Sequence, residues 1–125
     1  MPNPLIVKCS SWMLGNLVLL ARIRSESGAY VTQASLLSGT VKVLDGYTPV
    51  QIGSTINLTI ASVIFDTLQQ DAIRWVLDTT GYNFLFTVPA SYFPKAGLYL
   101  VQTEFLDTSN NPVFCQWEDT ALGTF

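Results

Sequence analysis

Histidine is absent from this chain, and that absence removes more chemistry than any other feature of its sequence. Without an imidazole there is no Ser-His-Asp triad and no Cys-His nucleophile pair. Two cysteines, Cys9 and Cys115, stand far apart and outside any CxxC spacing, so a zinc site lacks its common ligand types in sufficient number. Charge is scarce as well: only 12% of the residues are Asp, Glu, Lys or Arg, about half the usual share. Nine acids against six bases give a net charge of −3 with no block of one sign. Nucleic acid is therefore not an expected partner, since phosphate binding is driven by clustered Lys and Arg. No apolar run approaches the 18 residues of a membrane-spanning helix, and no membrane partner is expected. The eight glycines are scattered as turn residues, which excludes a glycine-rich phosphate loop.

The acid/base pairs that remain are Asp66 with Asp71 and Glu118 with Asp119. Asp66 and Asp71 flank a turn, where Asp commonly satisfies backbone donors, and adjacent residues of a strand face opposite ways. Neither pair makes a persuasive general acid and base, so the chain reads as a non-enzyme without a cofactor. "DTSNNP" (107–112) offers oxygens at alternate positions but a single formal charge, which would make any calcium site weak. Cys9 and Cys115 read as small buried hydrophobes. With Met1 at the start and no basic segment ahead of the apolar Leu17–Ala21 run, export is not expected, and both should be free thiols.

What the sequence does contain is alternation with a period of two. "NLVLLARIR" (16–24) places Leu17, Leu19, Ala21 and Ile23 on one face and Arg22 and Arg24 on the other. "GTVKVLDG" (39–46) aligns Val41 with Val43 and turns at Asp45-Gly46, and "STINLTIASVIF" (54–65) continues with Ile56, Leu58 and Ile60. "YNFLFTV" (82–88), "LYLVQTEFL" (98–106) and "PVFCQWED" (112–119) complete the series. Short β-branched and aromatic runs separated by turn residues are the signature of antiparallel strands. Only "DTLQQDAIRWVLD" (66–78) looks helical, and the expectation there is a short helix or 3₁₀ turn passing into a strand near residues 74–77. The fold class is all-β: an immunoglobulin-like antiparallel β-sandwich of about seven strands over residues 15–125, with residues 1–14 an N-terminal arm or a first strand.

The stretch "FTVPASYFPKAGLYLVQTEF" (86–105) supports that class. A chain crossing from one sheet to the other gives up its ladder hydrogen bonds, and proline is tolerated where backbone donors are not needed. Pro89 ends a strand, Pro94 stiffens the crossing, and Gly97-Leu98-Tyr99 restarts the chain as a tyrosine corner, in which the phenol bonds back to upstream backbone. Antibody-type domains place a cysteine two residues after that tyrosine. Here Val101 stands there, and it should pack where the disulfide would lie.

Three tryptophans admit two readings. Trp75, within "AIRWVL", reads as core, whereas Trp12 and Trp117 could be exposed as a sugar-stacking platform or as interface aromatics. Taken together, "NLVLLARIRSESGAYVTQASL", "IRWVLDTTGYNFLFTVP" and "FPKAGLYLVQTEF" resemble small immunoglobulin-like structural proteins of tailed bacteriophages, including head decoration proteins and the sandwich domain that begins some baseplate proteins. The resemblance spans roughly residues 15–120. It implies a virion structural protein, preferably a capsid decoration or cementing protein, with major capsid or tail proteins as partners and self-association into a homo-oligomer. A carbohydrate-binding or adhesive module is the alternative. Apolar residues near the two ends, Leu5, Ile6, Val7, Trp12, Met13, Leu122 and Phe125, are the expected partner-binding set. The segment "MPNPLIVKCSSWML" is too apolar for a solvated tail, so it either packs on a neighbouring chain or forms the first strand of its own sandwich.

Overall fold

A computed structural model describes residues 5–12 as backbone and residues 16–24, 28–70 and 80–122 in full. The described residues form eight strands: β1 (Leu5–Trp12), β2 (Leu17–Ala21), β3 (Leu36–Asp45), β4 (Gln51–Asn57), β5 (Ile64–Gln69), β6 (Tyr82–Val88), β7 (Gly97–Asp107) and β8 (Pro112–Leu122). They make a sandwich of a five-stranded sheet, in the order β1-β8-β7-β3-β4, and a three-stranded sheet, in the order β2-β6-β5. Facing β2-β6-β5 against β8-β7-β3 is the immunoglobulin arrangement, with β4 added beside β3. Seven of the strands pair antiparallel, and β1 adds itself in parallel to the outer side of β8. Residues 5–12 are thus a first strand of the domain's own sandwich, one of the two readings the sequence allows.

The alternation read from the sequence maps directly onto the core. Leu17, Leu19 and Ala21 are buried along β2 and Ile23 just beyond its end, and Tyr99, Val101, Thr103 and Phe105 are buried along β7. On β8 the inward row is Val113, Cys115, Trp117, Asp119 and Ala121. Phe84 joins the layers: its ring meets Phe105 edge-on at 5.6 Å and Trp117 at 5.9 Å. Trp117 is 1% exposed, which corrects the expectation that it might serve as a sugar platform. Its β8 position alternates inward, and the indole fills the space between the sheets. Trp75 lies outside the described residues.

Two elements depart from expectation. The run 54–65 is not one strand: β4 ends at Asn57, a single helical turn α1 (Ile60–Val63) follows, and β5 begins at Ile64. β4 belongs to one sheet and β5 to the other, so the ladder must break between them. The alternation looked continuous because Ile56, Leu58 and Ile60 all pack on the core while the chain crosses. The helix expected from residue 66 is also corrected, since Asp66–Gln69 belong to β5. β-branched and aromatic Ile64 and Phe65 favour extension, and pairing with β6 decides it. The remainder of that segment, including Asp71, lies outside the described residues.

The crossing between β6 and β7 is built as the sequence indicates. Pro89 ends β6, and a 3₁₀ turn (Ala90–Tyr92) carries the chain over, closed by Phe93 N–H donating to Ala90 O at 3.0 Å. Phe93 is fully buried and meets the Tyr99 ring edge-on at 5.1 Å. The Tyr99 hydroxyl donates to Lys95 O at 2.6 Å and accepts from Lys95 N–H at 3.3 Å. This is a tyrosine corner, and Val101 is buried two residues beyond it. At the other end of the sandwich buried Asn83 plays a matching part. Its Oδ1 accepts from Ile23 N–H at 2.7 Å, and its Nδ2 donates to Ile23 O at 2.9 Å. The end of β2 is thereby tied to β6 beyond the last residue of their ladder.

Two substitutions separate packing from hydrogen bonding. Phe84→Ala removes the ring that bridges the sheets and should cost about 3–5 kcal/mol. Tyr99→Phe removes a net hydrogen-bond contribution of about 1 kcal/mol and should leave the fold intact. Urea denaturation checks both; an unchanged midpoint for Tyr99→Phe would contradict a stabilising corner.

Candidate interaction surface

Two of the carboxylates that sequence reasoning weighed for chemistry, Asp66 and Asp107, serve the backbone. Asp107 Oδ1 accepts from Ser109 N–H at 2.9 Å and from Asn111 N–H at 2.8 Å, closing the turn that was considered for calcium. Asp66 Oδ1 accepts from Gln33 N–H at 2.7 Å, joining β5 to the 3₁₀ turn Gln33–Ser35. Glu118 and Asp119 face opposite sides of β8, and Asp119 is the one buried charged residue among the described residues. Among those residues no cluster of His, Cys, Asp and Glu has the make-up of a metal site.

Asp45 shows how such a carboxylate shapes the surface. Its Oδ1 accepts from Tyr47 N–H at 2.8 Å and Thr48 N–H at 3.2 Å. The Tyr47 hydrogen bond is the largest influence holding its carboxyl below the ordinary value. Asp45 N–H in turn donates to Val50 O at 2.9 Å, which shuts the β3–β4 turn. Gly46 fastens this turn to β7: its N–H donates to Leu98 O at 2.8 Å, and a Cβ there would strike the same carbonyl. The turn is therefore fixed by hydrogen bonds while its apolar side chains point to solvent. Tyr47 is 76% exposed and Val50 61%.

Leu122, 42% exposed, belongs to the same end of the five-stranded sheet. Register shows why: Asp45 pairs with Tyr99, Gly97 with Ala121, and Leu122 with Trp12. Tyr47 and Val50 thus lead out of β3, Leu122 ends β8 two strands away, and Trp12 ends β1 beyond it. At about 4.8 Å per strand spacing these positions form a row across one end of the sheet. Of the expected partner-binding residues, the structure brings Trp12 and Leu122 to neighbouring positions in this row. Leu5, Ile6 and Val7 lie further along β1, opposite Cys115, Gln116 and Trp117. Met13 and Phe125 lie outside the described residues. Tyr47 and Val50 were missed because "DGYTPV" reads as turn chemistry; the legible signal was two large apolar side chains in a segment with no strand period.

A separate groove of about 180 Å³ opens on the outer face of the same sheet, lined by Thr40, Lys42, Gln102, Glu104, Phe114 and Gln116. Gln102 Nε2 donates to Gln116 Oε1 at 3.0 Å within it.

Comparison with protein families, with curated proteins and with solved structures gives no significant match to the chain.

The two cysteines sit on neighbouring strands, yet their register keeps them apart. Cys9 pairs with Asp119 and Cys115 with Leu5, an offset of four residues, or roughly 13 Å along the strands. A disulfide needs Cα atoms within about 7 Å. Burial pushes the Cys115 thiol up to about 12. In a Cys9→Ser variant, Cys115 should resist iodoacetamide at pH 8 in the native state and react once urea unfolds the domain. Rapid native alkylation, read by mass spectrometry, would contradict the burial.

Proposed function

We propose that this domain is a non-enzymatic structural protein that works by docking on other proteins, and that it is a virion component of the tailed-phage kind, a capsid decoration protein in the first instance. The observation that carries the reading is the apolar row of Tyr47, Val50 and Leu122 at one end of the five-stranded sheet. Hydrogen bonds hold the β3–β4 turn of this row in place, so little ordering entropy is lost when it docks, and aromatic side chains on such a support are typical interface anchors. The resemblance of the strand and corner pattern to small phage structural proteins supplies the setting: a capsid or tail lattice as partner. The low charge agrees with a chain that covers part of its surface with neighbours.

A second reading, a glycan-binding module, has one observation in its favour. The groove on the outer sheet face sets the Phe114 ring among the Gln102 and Gln116 amides and the charged Lys42 and Glu104. An aromatic face beside amides and charges is chemistry that sugars use.

Mass spectrometry of gradient-purified particles released by cells carrying the gene tests the first reading. The chain should be present in many copies, and a Tyr47→Asp, Val50→Asp variant should fold but lose roughly tenfold or more in particle occupancy, as for loss of interface anchors. Absence of the chain from particles, together with glycan binding that Phe114→Ala abolishes, would replace this reading with the second.

A further inference from the structure

The strand β4 lacks the chemical guards of an exposed sheet edge. Its sequence, "QIGSTIN" (51–57), holds no charged residue and no proline, and Ile52, Thr55 and Ile56 are β-branched. β4 ends the order of the five-stranded sheet, and among the described strands only β3 pairs with it. Gln51, Gly53, Ser54 and Asn57 are exposed. An uncharged, β-branched edge of this kind is a template for pairing with another chain.

Backbone geometry stands in for the missing chemistry. Val43 pairs with Ile52 and Val41 with Ile56, so Lys42 alone faces Gly53, Ser54 and Thr55. β4 therefore carries two residues more than its neighbour, a bulge at the centre of the strand. Because two is an even number, Ile52 and Ile56 keep one face, and both pack on the core. Gln51 Nε2 donates to Thr55 Oγ1 at 3.0 Å across the bulge. In a straight strand four residues span about 13 Å, too far for these side chains to meet. Tyr92 holds the bulge. Its hydroxyl donates to Ser54 O at 3.1 Å, and a Cβ on Gly53 would come within 2.8 Å of its ring. Gly53 takes φ +69°, which glycine adopts without steric cost. The 3₁₀ turn that carries Tyr92 is closed by Tyr92 N–H donating to Pro89 O at 3.1 Å, and the next residue is the buried Phe93.

We propose that Tyr92 is an edge guard: by holding the bulge of β4, it keeps the five-stranded sheet from pairing, β4 against β4, with a second copy of this chain. A second copy is the occupant it excludes, because antiparallel pairing of the strand with itself is isologous and no charge on the strand repels it. With the bulge in place, only Gln51-Ile52 and Ile56-Asn57 keep a regular register, a short piece on either side. Strand addition draws its affinity from a run of main-chain hydrogen bonds, and these pieces are too short to supply one. The inference is independent of the docking reading: it concerns which edge stays closed, whether or not the rim binds a particle.

Light scattering from low to high micromolar concentration, with hydrogen exchange of the same samples, tests it. Deletion of Ser54 and Thr55 removes the bulge and preserves the inward face of β4. The deleted form should fold, double its mass relative to wild type, and slow the exchange of its β4 amides. Tyr92→Ala should act in the same direction to a lesser degree, and Tyr92→Phe, which keeps the ring on Gly53, least of all. Urea unfolding of each variant separates association of the folded domain from aggregation after unfolding. If the deletion does not fold, Tyr92→Ala decides alone. A folded Tyr92→Ala that keeps the wild-type mass would overturn the proposal, as would association that leaves exchange in residues 51–57 unchanged. Particle occupancy is measured separately and bears on the docking reading alone.

Discussion

The contact of Phe84 with Phe105 and Trp117 is the interaction on which the sandwich depends. Phe84 sits on the central strand of the three-stranded sheet, where its backbone pairs with Ala21 on one side and Ile64 on the other. Its ring reaches across to β7 and β8. One side chain thus couples strands that are distant in sequence and belong to both layers. Burying large aromatic area against aromatic area also contributes more than scattered aliphatic contacts of equal number. The consequences run outward from there. With β7 and β8 held inward-side down, their outward rows and the ends of their neighbours are committed to solvent or to partners.

Hydrogen bonding finishes what packing begins. Asn83 and the Tyr99 corner stand at opposite ends of the sandwich, and each satisfies backbone groups where a ladder has stopped. Asp45, Asp66 and Asp107 do the same for turns. Three of the carboxylates among the described residues are therefore consumed by its architecture. A domain built this way has its surface character set by apolar and amide side chains.

The strands and the corner were legible because their physics is local. Alternation in 16–24 and 98–106 follows from the pleat, and Pro89, Pro94 and Gly97 mark a crossing by backbone geometry alone. The break within 54–65 was not legible, since Ile56, Leu58 and Ile60 remain apolar on both sides of it; only the partner sheets distinguish strand from crossing. The inward position of Trp117 likewise depends on which strand lies across from β8. The proposed contact surface was half visible. Leu122 and Trp12 stood out as apolar residues near the chain ends, but their adjacency is a matter of parallel register. Tyr47 and Val50 join them through a hairpin whose length and closure are tertiary facts. Sequence periodicity says which face of a strand is buried, and says little about which ends of different strands share one rim.

In the proposed function this domain works through the apolar rim at one end of its larger sheet. Hydroxyl-radical footprinting of the free and the particle-assembled protein tests that most directly, since tyrosine, leucine and valine side chains all record solvent access. Tyr47, Val50 and Leu122 should lose oxidation on assembly, while exposed Leu37 at the opposite end of the sheet keeps it. Equal oxidation of Tyr47, Val50 and Leu122 in the two states would contradict the account.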